Sequence, residues 1–78
     1  MIDREGKSVD YKTIILEKKD NIGIIIFNRP ENLNTFSSSL AQELNDALME
    51  LENDKEISVI IIKGKGKAFC AGIDIKEL

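Results

Sequence analysis

At residues 57–64 the chain reads Ile-Ser-Val-Ile-Ile-Ile-Lys-Gly, and four of these in a row, Val59, Ile60, Ile61 and Ile62, are apolar. A strand with one wet face alternates apolar and polar positions; a run without alternation expects cover on both faces, the habit of parallel sheets. Parallel pairing needs a partner strand and a crossover between the two, and both lie upstream. Ile24, Ile25, Ile26 and Phe27 form a second unbroken apolar run, predicting a central strand over residues 22–28. Between the runs, Leu40, Leu44, Ala47, Leu48 and Leu51 recur at helical spacing on one stripe, and Gln42, Glu43, Asn45, Asp46, Glu50 and Glu52 fall largely elsewhere. A helix over residues 37–53 follows. Serines 37, 38 and 39 offer N-cap oxygens, and Ser39 with Gln42 has the spacing of a capping box. Asn53-Asp54-Lys55-Glu56 breaks the helical pattern before the third strand, at residues 57–63. Strand, helix and strand in this order predict a right-handed crossover, the two strands parallel and the helix lying across them.

Further upstream, Thr13-Ile14-Ile15-Leu16-Glu17 has the β-branched content of a strand and Lys18-Lys19-Asp20-Asn21 supplies turn residues, so a β-hairpin precedes the crossover. Asn28-Arg29-Pro30 closes the second strand, because proline has no amide hydrogen for the ladder and biases Arg29 toward an extended backbone. The expected fold class is therefore α/β, a β-hairpin feeding a right-handed βαβ unit. Residues 1–11 are polar, mixed in charge and aperiodic, and are expected to form a flexible arm. Residues 12–78 are left as the folded unit.

Composition narrows the function. The chain has 78 residues, 42% hydrophobic and 32% charged, the profile of one small globular domain. A domain of this size buries only about 60% of the surface its unfolded chain exposes, so it is marginal unless something covers its apolar faces. Eleven basic against fourteen acidic residues give a net charge of −3, with no basic stripe to neutralise a row of phosphates, so no nucleic-acid partner is expected. The apolar runs are far shorter than the roughly 20 residues that span a bilayer, and the first residues lack the apolar stretch of a secretory signal. With a single cysteine, Cys70, and no internal disulfide possible, an intracellular, cytoplasmic location is expected. No histidine occurs, which removes Ser-His-Asp and Cys-His pairs and the commonest metal ligand, and no metal site is expected.

After the third strand comes Gly64-Lys65-Gly66-Lys67-Ala68-Phe69-Cys70-Ala71-Gly72-Ile73-Asp74. A glycine-containing turn between a parallel strand and a helix places backbone amides where an anion or a developing oxyanion could sit, here at Gly72-Ile73-Asp74. Nucleotide-loop readings fit poorly: Phe69 stands where a dinucleotide fingerprint needs its third glycine, and Ala68 where a phosphate-binding loop needs Ser or Thr. Taken without further context, Gly72-Ile73 reads as an ordinary strand-to-helix turn, Cys70 as a small buried residue, Asp74 as a helix-cap carboxylate, Arg29 as a structural charge, and Lys65 and Lys67 as solvated loop charges.

Phe27-Asn28-Arg29-Pro30-Glu31-Asn32-Leu33-Asn34, the Leu40-x-x-x-Leu44 helix, the Val59–Ile62 strand and Gly66-Lys67-Ala68-Phe69-Cys70-Ala71-Gly72-Ile73-Asp74-Ile75-Lys76-Glu77-Leu78 together resemble the N-terminal part of the enoyl-CoA hydratase/isomerase (crotonase) superfamily, in order and spacing, over about residues 12–78. The resemblance implies the start of the ClpP/crotonase-like spiral fold, and a coenzyme A thioester as substrate with no prosthetic group. It places the amide of Ile73, presented by Gly72, as one of two backbone donors to the thioester oxygen as it becomes an enolate. Such a donor acts on charge that exists only as the reaction proceeds, and losing one in a comparable site costs about 2.7–4 kcal/mol. By the same resemblance Leu33, Asn34 and Thr35, with Ala68, Phe69 and Ala71, would line the CoA groove, and Lys76 would approach its nucleotide part. The second amide and the glutamates that act as general acid and base belong to a later stretch in the family, so the chain is expected to be an incomplete, inactive piece of such an enzyme. The alternative is a non-catalytic CoA-binding or self-associating module. In either case homo-oligomers are expected. The acyl group is not readable, and hydration, isomerisation, decarboxylation, dehalogenation and ring closure all remain open.

Overall fold

The computed structural model describes residues 11–70 and 72. In chain order the elements are β1 (Ile14–Lys19), β2 (Ile22–Phe27), a 3-10 turn (Pro30–Asn32), α1 (Ser38–Glu52) and β3 (Val59–Gly64). The sheet order is β1-β2-β3, with β1 antiparallel and β3 parallel to β2. A β-hairpin followed by a strand–helix–strand crossover, with β2 central, is the architecture the apolar runs predict. The expected arm lies, except for Tyr11, outside the described residues.

The hairpin is tighter than the sequence suggests. Lys18 and Lys19 belong to β1, and only Asp20 and Asn21 form the turn. Asp20 takes a φ of 54°, a left-handed conformation that a short polar side chain tolerates. Lys19 pairs with Ile22 in the ladder, and Lys18 is held where the far end of β1 meets the end of α1: its Nζ donates to Glu50 Oε2 at 2.6 Å and to Asp54 Oδ2, just past the helix, at 2.8 Å. At the other end of β1, the Glu43 carboxylate accepts from the N–H groups of Lys12 and Thr13 and from the Thr13 hydroxyl at 2.7–3.0 Å.

Of the three serines that offer caps, the first caps the helix, which begins at Ser38. Ser37 is the N-cap, its Oγ accepting from the Leu40 N–H at 3.1 Å. Ser39 and Gln42 therefore sit inside the helix, no capping box forms between them, and Gln42 donates instead to Asp46 one turn on. Leu40, Ala47 and Leu51 are fully buried, with Leu44 and Leu48 packed beside them. They meet Ile14, Leu16, Ile25 and Phe27 in a single core. Each leucine, isoleucine and phenylalanine side chain so taken out of water contributes about 1.5–3 kcal/mol, and Ala47 less.

The helix does not lie across β2 and β3 as expected. Its main packing is against β1 and β2. Gly23 makes room for this, since a Cβ there would stand 2.5–2.8 Å from the methyl carbons of Leu51. β2 is accordingly covered on one face: Gly23, Ile25 and Phe27 are buried, and Ile22, Ile24 and Ile26 half-buried. Val59, Ile60, Ile61 and Ile62 of β3 are 37–48% exposed. The parallel pairing is present, but the two-sided cover that the unbroken apolar run asks for is not, among the described residues. No helix among them is long and apolar enough to cross a membrane.

Candidate functional site

Two loops meet where β2 and β3 end side by side. The first follows β2. Arg29, at φ −127° and ψ 54°, is kept out of the helical region by Pro30 but falls short of full extension, because the 3-10 turn begins at once. Leu33 and Asn34 then both take left-handed conformations, φ 53° and 55°. For a leucine this costs about 1–2 kcal/mol, so something must hold the loop closed. The backbone contributes bonds from Leu33 N–H to Pro30 O at 3.1 Å and from Asn34 N–H to Arg29 O at 2.8 Å. The Arg29 guanidinium adds one from Nη1 to Thr35 O at 2.5 Å, the structural role expected of this charge.

The side chain of Asn34 does the rest. It is completely buried. Its Oδ1 accepts from the Arg29 N–H at 2.7 Å, and its Nδ2 donates to Lys65 O at 3.0 Å and Ala68 O at 2.7 Å. Both donors of the carboxamide are thereby used, each on a carbonyl of the other loop. The sequence marks Asn34 only as part of a groove lined by backbone; its carboxamide as the tie between the loops is a role that reading misses. The available signal is the spacing Asn-Arg-Pro-x-x-x-Asn, which sets an αL-tolerant residue with one acceptor and two donors at the close of a proline turn.

The second loop follows β3. Lys65 N–H donates to Phe27 O at 2.9 Å, continuing the parallel ladder one step. The chain then doubles back so closely that a Cβ on Gly64 would lie 2.7 Å from Ala68 O and from the Cα of Phe69. Gly66 and Gly72 take φ of 93° and 118°, which favour glycine. The Phe69 ring stacks on Phe27 at 5.2 Å and still leaves the residue 55% exposed. Cys70 packs against the core with Sγ 3.8 Å from Gly72 O, but it is half-buried, not buried as expected. Lys65 and Lys67 are exposed.

A last bond joins the loops: the Phe36 N–H donates to Gly72 O at 2.7 Å. Of the site residues expected from sequence, Asn34 is thus joined to Ala68, and Gly72 to Phe36, two residues past Asn34. Leu33 is 45% exposed and Thr35 half-buried. A Cβ at Gly72 would meet nothing within 4 Å. Ala71, Ile73, Asp74 and Lys76 lie outside the described residues.

The perturbed ionisations sit on the seam between α1 and β1. Burial pushes the Glu43 carboxyl up, but the N–H groups of Lys12 and Thr13 and the Thr13 hydroxyl outweigh it and hold the group below its ordinary 4.5. Bonds to Asp54 and Glu50 hold Lys18 above its ordinary 10.5, and the same contact lowers Asp54. No group of three or more His, Cys, Asp or Glu side chains among the described residues is placed to hold a metal ion.

Comparison with known proteins follows the same segments. Residues 17–78 match the family model described as enoyl-CoA hydratase/isomerase. The chain is 47% identical over 68 residues to a probable enoyl-CoA hydratase of Mycobacterium tuberculosis, covering 87% of this chain and 26% of that protein. It is 46% identical over 68 residues to a probable mitochondrial enoyl-CoA hydratase of Dictyostelium discoideum, covering 87% and 24%. Its structure is similar to the crystal structure of an enoyl-CoA hydratase/isomerase from Mycobacterium paratuberculosis, with a TM-score of 0.83 and 36% identity over 86% of this chain and 26% of that one. The chain spans about a quarter of the length of these relatives.

Proposed function

Because the chain belongs to the enoyl-CoA hydratase/isomerase family, we propose that it binds acyl-CoA thioesters and supplies one backbone donor, the amide of Ile73, to the thioester oxygen as that oxygen takes on enolate charge. The observation that carries this reading is the bond from the Phe36 N–H to the Gly72 oxygen. In a trans peptide the carbonyl and the amide that follows it point in opposite directions. With the Gly72 oxygen engaged on the Phe36 side, the next donor would be offered on the other side, to an incoming ligand oxygen. A fixed donor of this kind favours the enolate over the ground-state carbonyl, because the charge it meets develops only during reaction. In this proposal the exposed apolar residues Leu33 and Phe69 contribute to binding the CoA thioester with Thr35 and Ala68, and Ala71 and Lys76 keep the roles that the family resemblance implies.

In this reading the chain binds but does not turn over. General acid–base catalysis needs a carboxyl within hydrogen-bond reach of the transferred proton. Glu43 is taken up by Lys12 and Thr13, and Glu50 and Asp54 by Lys18. Calorimetric titration with a short acyl-CoA and with its thioether analogue, which lacks the carbonyl, tests the proposal. The thioester is expected to bind about tenfold more tightly, the worth of one good hydrogen bond, and a 2-enoyl-CoA is expected to remain unhydrated. Equal affinity for the two, no binding of either, or measurable hydration contradicts it.

A second reading, self-association into homo-oligomers, is favoured by one observation, the 37–48% exposure of the apolar residues of β3. Among the described residues β3 is also an edge strand of the sheet, the feature that invites pairing with another chain. Sedimentation that shows a folded monomer at high concentration speaks against it.

A further inference from the structure

We propose that Asn34 is a positioning residue, whose carboxamide locks the loop after β3 onto the loop after β2 and thereby sets the Phe36–Gly72 contact that aims the glycine turn; this rests on the acyl-CoA reading above. Three observations converge on it. Asn34 is the buried polar residue at the junction, with no exposed surface, and every hydrogen-bonding direction it uses ends on backbone: Arg29 N–H on its own loop, Lys65 O and Ala68 O on the other. Its φ of 55° brings the side chain out of a left-handed turn, a conformation available at low cost to Asn and Gly and to few others. Finally, the tie and the contact it would govern are adjacent in both loops, Asn34 with Ala68 and Phe36 with Gly72. The members lie two positions apart on one stretch of chain and four positions apart on the other, so releasing the first leaves the second to hold the loops alone.

The carboxamide is not replaceable by its nearest isostere. An aspartate at this position keeps the acceptor for Arg29 N–H but has, when ionised, no donor for Lys65 O and Ala68 O, and sets negative charge against both carbonyls. Glycine keeps the left-handed backbone and deletes the tie altogether. Neither substitution needs the backbone to move, so the pair separates a local release from a misfolded chain.

The test is amide hydrogen exchange on the full chain without ligand, comparing the parent with Asn34→Asp and Asn34→Gly. The Phe36 amide is expected to exchange about tenfold faster in both variants, the consequence of losing hydrogen bonds that held it closed, with the ladder amides of β1 and β2 unchanged. In titrations with the short acyl-CoA the same variants are expected to bind about tenfold more weakly. Unchanged Phe36 protection in both variants overturns the inference. So does a parallel loss of protection across the whole sheet, which makes Asn34 a general stabiliser of the fold. Failure of the parent chain to bind the thioester counts against the acyl-CoA reading alone, because the exchange comparison is made without ligand and decides the role of Asn34 by itself.

Discussion

Ile25 and Ile62 are register partners on neighbouring parallel strands, yet Ile25 has no exposed surface and Ile62 is 37% exposed. The residue type, the strand geometry and the sheet are shared; what differs is the helix. α1 leans mainly on β1 and β2, where Leu51 settles over Gly23, and among the described residues β3 keeps its apolar residues 37–48% exposed. The comparison separates two sources of order in one small sheet. The β1–β2–α1 side is held by side-chain burial, by the Lys18 ion pairs at one end of β1 and by hydrogen bonds to the Glu43 carboxylate at the other. The β3 side is held by its ladder to β2 and by the loop junction at Asn34.

That contrast makes unequal demands on substitution. Ile25→Ala, which empties a closed core, is expected to cost about 2–5 kcal/mol, whereas Ile62→Thr, which keeps the β-branched shape on an open face, is expected to cost less than about 1 kcal/mol. Urea unfolding of the two variants measures both. Similar losses would mean that β3 is covered in solution, and would sharpen the case for self-association. Next in size is Ser37→Ala, which removes the cap of the helix that creates the contrast and is expected to cost about 1 kcal/mol by the same assay.

The smallest effect is electrostatic. The folded chain holds the Glu43 carboxyl below 4.5, so its bonds to Lys12 and Thr13 contribute fully above that value and are lost as pH falls through the lower folded one. Lys18 runs the other way: held above 10.5, it contributes fully below that value and loses its contribution as pH rises through the higher folded one. Urea midpoints of the chain are expected to decline on acidification below the ordinary carboxylate range, and Glu43→Gln to flatten that decline. An unchanged slope in the variant would assign the acid sensitivity to other carboxylates.

Much of this architecture is legible in residue order. The two unbroken apolar runs and the Leu40–Leu51 stripe are enough for strand, helix, strand and parallel pairing, because periodicity reports which faces want burial. Periodicity does not report what lies over those faces, and for this reason the uncovered β3 and the displaced helix are visible only in three dimensions. Local boundaries fail for a related reason. Lys18 and Lys19 look like turn residues until Glu50 and Asp54 are placed beside Lys18, and Ser39 looks like a cap until Ser37 is seen to reach the Leu40 N–H first. At the site, the glycines and the Asn-Arg-Pro turn announce a tight junction. The work of Asn34 is hidden because three of its bonds join residues 5, 31 and 34 positions apart, and no local pattern encodes such contacts.

The proposed donor is the peptide nitrogen after Gly72, and proline tests it most directly because it removes that N–H, though it also fixes its own φ and restricts Gly72. Thioester affinity is expected to fall about tenfold in Ile73→Pro and to stay at the parent value in Ile73→Val, measured by calorimetry on the two variants side by side. Equal affinity in the parent and both variants, or a valine variant as weak as the proline one, would contradict it.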